Sequence, residues 1–183
     1  ESLPVKFTGV LEPTALACAN ATQSGHVAIL GTSATINSHS YKKLLEKINP
    51  DLKVYEQDCP LFVPLVENGF TDKSDVIVKS VVERYVSQFK DTDVDTVILG
   101  CTHYPLLFDV IQKHLPSTKL ISSGESAANA LKEELVVLGL DNNSGGRVEY
   151  FTSDDASLFA SNAKKFLKGG LDGNISHIDI EKY

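Results

Sequence analysis

Apolar residues along this chain follow two alternating rhythms. Short runs that read as strands are "HVAIL" (26–30), "LKVYEQDC" (52–59), "TVILG" (96–100), "TKLISS" (118–123) and "GRVEYFTS" (146–153). Between them the spacing lengthens to three and four residues, the period of a helix with one buried face. "PTALACANAT" reads as a helix after Pro13. Tyr41, Leu44, Leu45 and Ile48 mark another, stopped by Pro50. A third spans 74–90, with Ser74 as its cap and Val78, Val81, Val82 and Tyr85 on one face. "LLFDVIQKHL" ends at Pro116, "ESAANALKEELVVLGL" stops near Gly139, and "DASLFASNAKKFLKG" starts at a cap on Asp154 or Asp155. "LFVPLVENGF" is read as broken, because Pro64 interrupts it.

Strands that alternate with helices predict an α/β fold, a mostly parallel sheet flanked by helices. Ligands bind such sheets off the carboxyl ends of the strands. Two strands end alike there, "AILGTSAT" and "VILGCTHY", so two similar strand-to-helix loops are expected to face one pocket.

Composition narrows the function. Hydrophobic residues make up 42% of the chain, enough for a packed core. The formal net charge is −7, which disfavours nucleic acid as a partner. The basic pairs Lys42-Lys43 and Lys164-Lys165 read as solvated helix faces. No apolar run approaches the roughly 20 residues of a membrane span, so no membrane partner is expected. The N-terminal stretch "ESLPVKFTGV" lacks the pattern of a signal peptide. It opens on Glu1 rather than Met, so either the start has been processed or the chain is a piece of something longer. Three scattered cysteines make neither a disulfide framework nor a zinc site, and a reducing cytoplasm is the natural setting.

The chemistry concentrates at "GCTHYP". A thiol works as a base or nucleophile only as thiolate, and its ordinary pKa of about 8.5 falls beside cations or a helix N-terminus. Cys101 has His103 two residues away. A cysteine at a strand end serves equally as a small buried hydrophobe, and both readings stand on site chemistry alone. His103 is a candidate acid, base or partner for Cys101; the plainer reading ties it to loop backbone. Thr102 can bind a carboxylate or cap the next helix. Glu67 can orient His103 or hold an ammonium group, though most carboxylates so placed simply face water. Cys59 and Cys18 read as core.

The motifs "LGCTHYPLL", "GVLEPTALACANAT", "HVAILGTSATINSHSY", "CPLFVPLVENG", "GESAANAL" and "EYFTSDDASLFASNAKKFL" together resemble glutamate racemases, within the aspartate/glutamate racemase superfamily. The resemblance implies a cofactor-free, two-base interconversion of L- and D-glutamate, with D-glutamate feeding peptidoglycan. One thiolate removes the α-proton and a second thiol returns one to the opposite face. On that resemblance Cys101 matches the second catalytic cysteine, His103 its assisting histidine and Glu67 its assisting carboxylate. Thr102 and His103 match substrate contacts, and Thr32 and Thr35 are further candidates. No metal or other cofactor is implied, and the partner is the small molecule glutamate.

The family's Asp-Ser-Gly start, its Pro-Tyr-Gly stretch and its first catalytic cysteine have no match here. The chain thus resembles the C-terminal two-thirds of such an enzyme. Residues 1–8 are expected to be a remnant of the connection to the first domain, and 9–122 a complete racemase-type domain carrying Cys101. Residues 123–183 would be a segment returning to the first domain, with apolar surface exposed from about 124 onward. A homo-oligomer and a missing N-terminal segment both remain open, and a lone chain is expected not to racemise. A single-cysteine relative that decarboxylates malonates, and a non-catalytic module binding acidic amino acids, are the competing readings.

Overall fold

A computed structural model describes residues 6–142, 144–167, 171 and 173–182. Residues 1–5 of the expected remnant and 168–169 of the expected last helix lie outside the described residues. The chain divides into two compact units, Glu1–Gly139 and Leu140–Tyr183.

In the first unit the order is α1 (Leu11–Ala21), β1 (His26–Gly31), α2 (Ser33–Ser38), α3 (Ser40–Ile48), β2 (Lys53–Asp58), α4 (Phe62–Glu67), α5 (Val76–Val86), β3 (Thr96–Leu99), α6 (Phe108–His114), β4 (Lys119–Ser122) and α7 (Ser123–Val137). The four strands form one wholly parallel sheet in the order β2-β1-β3-β4. A parallel sheet covered on both faces buries its central strands on both sides. That is why β1 and β3 carry unbroken apolar runs while the edge strand β2 alternates.

The pleat divides those runs between two cores. Val27, Ile29, Ile98 and Ile121 pack with Ala15 and Cys18 of α1 and with Tyr41 and Leu45 of α3. Ala28, Leu30, Val97 and Leu99, at the alternate positions, point to the opposite face and are fully buried as well. Each such aliphatic side chain contributes about 1.5–3 kcal/mol on burial. Helix α7 belongs to this unit and packs on α1 and β4.

Three local expectations need correction. Pro64 does not break its segment: α4 runs through it. The proline is the third helical residue, in the first turn, where its missing N–H has no intrahelical partner to lose. The cap of α5 is Asp75, whose carboxylate accepts from the backbone N–H of Ile77 (2.7 Å) and Val78 (3.4 Å). Ser74 instead donates its own N–H and hydroxyl to Asp72, each at 2.7 Å. The expected helices 74–90 and 106–115 are α-helical only at Val76–Val86 and Phe108–His114. A 3-10 turn, Ser87–Phe89, follows the first, and another, Tyr104–Leu107, precedes the second at Pro105.

The second unit holds β5 (Tyr150–Thr152), α8 (Ala156–Phe166) and β6 (Ile175–His177), the two strands pairing in parallel. Of the two candidate caps, Asp155 serves, accepting from Leu158 N–H at 2.8 Å. The strand expected over 146–153 shrinks to three residues because its partner β6 is equally short. Within 124–183, Val136, Val137, Leu140, Phe151, Leu158 and Ile180 are all more than half exposed. No described helix is long and apolar enough to cross a membrane.

Candidate active site

The sheet order itself creates a crevice. From β1 the chain moves outward to β2, and from β3 it moves the opposite way to β4. The two connections part between β1 and β3, and this point at the strands' carboxyl ends is where open α/β sheets hold ligands. Register brings the two similar loops together there. Leu30 pairs with Leu99, and Gly100 N–H donates to the Leu30 carbonyl at 2.8 Å.

Both glycines permit a close approach. A Cβ at Gly100 would stand 3.0 Å from the Leu30 carbonyl oxygen, 3.2 Å from the Tyr41 ring and 3.7 Å from Thr35 Cγ2. At Gly31 it would meet the Thr35 and Ile36 side chains at 3.0–3.1 Å. The Leu30 oxygen is backbone, held by Gly100's own N–H, so it has nowhere to retreat. Gly100→Ala is therefore expected to cost about 1–3 kcal/mol, read as a lower urea midpoint with unchanged slope.

Cys101 emerges half-buried from β3. Its Sγ lies 3.8 Å from His103 Nδ1, which also stands 3.4 Å from Thr102 Oγ1. On the other side of the ring, His103 Nε2 lies 3.3 Å from Glu67 Oε1. The ring is 21% exposed and the Glu67 side chain 58%, so the pair orients the imidazole more than it stabilises the fold. Thiol, imidazole and carboxylate thus form one chain of contacts.

Glu67 arrives by way of packing. Tyr104, fully buried, meets the Phe62 ring edge-on at a centroid distance of 5.0 Å and donates its hydroxyl to the Cys59 carbonyl at 3.2 Å. Those contacts dock α4 against the turn that follows Cys101, and the last residue of α4 is Glu67. Burial pushes the Tyr104 phenol upward, so it stays a neutral donor. Tyr104→Phe keeps the ring packing but leaves that carbonyl without its donor. A loss of about 1 kcal/mol is expected, measured by chemical denaturation.

Thr32 and Thr35 frame the same crevice from the β1 side. Thr32 caps α2 by accepting the Thr35 N–H at 3.3 Å, and the two hydroxyls lie 3.0 Å apart. Sequence reasoning did not single out Tyr41. Its ring edge floors the Gly100 turn, and burial pushes its phenol up. The other two cysteines stay in the core: Cys18 and Cys59 are both 0% exposed. Burial pushes the Cys18 thiol up to about 12 and the Cys59 thiol up as well.

Similarity to known proteins bears on this arrangement. The family model described as Asp/Glu/Hydantoin racemase matches residues 1–131. A glutamate racemase of Geobacter metallireducens is 38% identical over 184 residues, covering 99% of this chain and 67% of that protein. Among solved structures, glutamate racemase isoform RacE1 of Bacillus anthracis superposes with a TM-score of 0.88 at 32% identity, over 98% of this chain and 66% of that one. The glutamate racemase of Francisella tularensis in complex with D-glutamate gives a TM-score of 0.85 at 30% identity, over 96% and 65%. The chain spans about two-thirds of the length of these relatives.

Proposed function

This chain belongs to the Asp/Glu/hydantoin racemase family, and from that membership and the geometry above we propose that it carries one catalytic face of a cofactor-independent glutamate racemase. The product D-glutamate would serve peptidoglycan synthesis. The observation that carries the reading is the line Cys101–His103–Glu67 at the carboxyl end of β3, beside Thr32 and Thr35.

The α-proton of an amino acid is a very weak acid, so a base must be held against it while nearby dipoles stabilise the developing negative charge. His103 Nδ1 takes the Cys101 proton, and the thiolate so formed faces an imidazolium that Glu67 steadies. The thiolate removes the α-proton from one face of glutamate and becomes the thiol; in the reverse direction the protonated thiol returns a proton to that face. Thr102, Thr32 and Thr35 offer hydroxyl and backbone donors to the carboxylates. Residues 123–183 would pack on the part of the enzyme that supplies the other face.

Inversion needs a second base opposite the first. All three cysteines of the chain are described, and only Cys101 reaches the crevice. The isolated 183-residue chain is therefore expected not to racemise glutamate, followed by circular dichroism. Full racemisation by the chain alone would reject this division of labour.

The same burial pattern predicts thiol reactivity. One cysteine of three, Cys101, is expected to react rapidly with iodoacetamide in the folded protein, and glutamate to slow that reaction. Peptide mass mapping identifies the site. Equal labelling of Cys18 or Cys59, or no effect of glutamate, would count against the assignment.

A further inference from the structure

The joint between α2 and α3 carries the one non-glycine residue with positive φ among those described, His39, at φ 53° and ψ 22°. Left-handed backbone costs an ordinary side chain roughly a kilocalorie and persists where surrounding contacts hold it. The contact here is specific. His39 Nδ1 lies 2.7 Å from Glu56 Oε2, and the Glu56 side chain, in the middle of β2, is only 12% exposed. A carboxylate so covered needs a donor, and a ring with its proton on Nδ1 supplies one.

Both helices that meet at this joint touch the Cys101 loop. Upstream, α2 presents Thr35 toward Gly100; downstream, α3 sets the Tyr41 ring beneath it. We propose that His39 is a positioning residue for the Cys101 site. By gripping Glu56 it fixes the α2–α3 joint, and through that joint the depth at which Thr32 and Thr35 meet the loop. The inference rests on the reading of that crevice as a glutamate site.

The test uses the full chain and three readouts: the bare rate of Cys101 alkylation by iodoacetamide, the glutamate concentration that halves it, and the urea midpoint. His39→Gly accepts the left-handed backbone but removes the ring. It is expected to raise the half-protecting glutamate concentration about tenfold, within what a misplacement of an ångström or less produces. The bare rate should stay as in the unaltered protein, and the urea midpoint should change little, because relief of the left-handed strain offsets the donor that Glu56 loses. His39→Asn tolerates the same backbone and keeps a donor for Glu56, so it should recover part of the protection. Unchanged protection in His39→Gly overturns the inference. So does a loss of protection matched by a loss of stability and not relieved in His39→Asn. If the unaltered protein shows no protection by glutamate, the reading of the site falls with it. A protected wild type with an equally protected His39→Gly removes the positioning role alone.

Discussion

Replacing Cys101 with serine is expected to slow α-deuterium incorporation into glutamate in D2O by about 10²–10⁴-fold, the usual contribution of a positioned proton-transfer group. Urea unfolding should be unaffected. Serine is nearly isosteric, although the 3.8 Å that sulfur spans to His103 Nδ1 is too long for a hydroxyl hydrogen bond. What it cannot supply is a base. A thiol near neutral pH already has a few per cent of thiolate, whereas a serine hydroxyl has essentially none. The half-buried position of Cys101 also means that the swap opens no cavity in the core. Proton NMR of the α-position reads the exchange. Undiminished exchange in the variant would remove Cys101 from the reaction. An equal fall in stability would mean that the sulfur is a packing element after all.

His103→Gln should act in the same direction but more weakly, because it leaves the thiol and removes only its proton acceptor. Glu67→Gln should be weaker again, since that carboxylate is more exposed and touches the sulfur only through the ring. The order Cys101, His103, Glu67 is itself a test of the chain of contacts. A Glu67 effect as large as that of Cys101 would place the carboxylate on the substrate.

How much of this was legible beforehand differs from element to element. The strand and helix alternation was plain, because burial on both faces of β1 and β3 writes itself as "HVAIL" and "TVIL". Cys101 and His103 were legible because they are neighbours in sequence, directly after such a strand. Strand order was not, and with it went the location of the crevice: no local pattern says that β1 and β3 lie side by side. Glu67 was named, but its route to His103 was hidden. Pro64 looked like a breaker, yet it falls in the one turn of a helix that tolerates it. The docking that follows depends on Tyr104 and Cys59, 45 residues apart. His39 gave no signal at all, since backbone handedness at a histidine has no periodicity to betray it.

Asp95 was equally silent, and the largest expected loss of stability lies there. Its carboxylate accepts from Thr22 Oγ1 (2.6 Å), Gln23 N–H (2.7 Å), Ser24 N–H (2.8 Å) and Thr96 Oγ1 (2.9 Å). It thereby ties the turn between α1 and β1 to the foot of β3, across more than seventy residues of chain. Its partial burial works against ionisation, but the four donors outweigh that and hold the carboxyl well below the usual carboxylate range. Hydrogen bonds to a charged group contribute about 1.5–3 kcal/mol each and do not add fully. Asp95→Ala should therefore lose on the order of 3 kcal/mol. Asp95→Asn should lose less, because its amide oxygen can still take the two backbone N–H groups while its NH2 turns to the threonine hydroxyls. The pH dependence follows from the sign of the shift. A carboxyl whose folded pKa is depressed adds stability that is fully present above its unfolded pKa, about 3.9, and is lost as pH falls through the folded value. The gap between wild type and Asp95→Asn should be constant from neutral pH down to about 5 and should close in stronger acid. Urea midpoints measured from pH 7 to pH 2 decide it: a gap that widens on acidification would mean that the carboxylate is not what those four donors are holding.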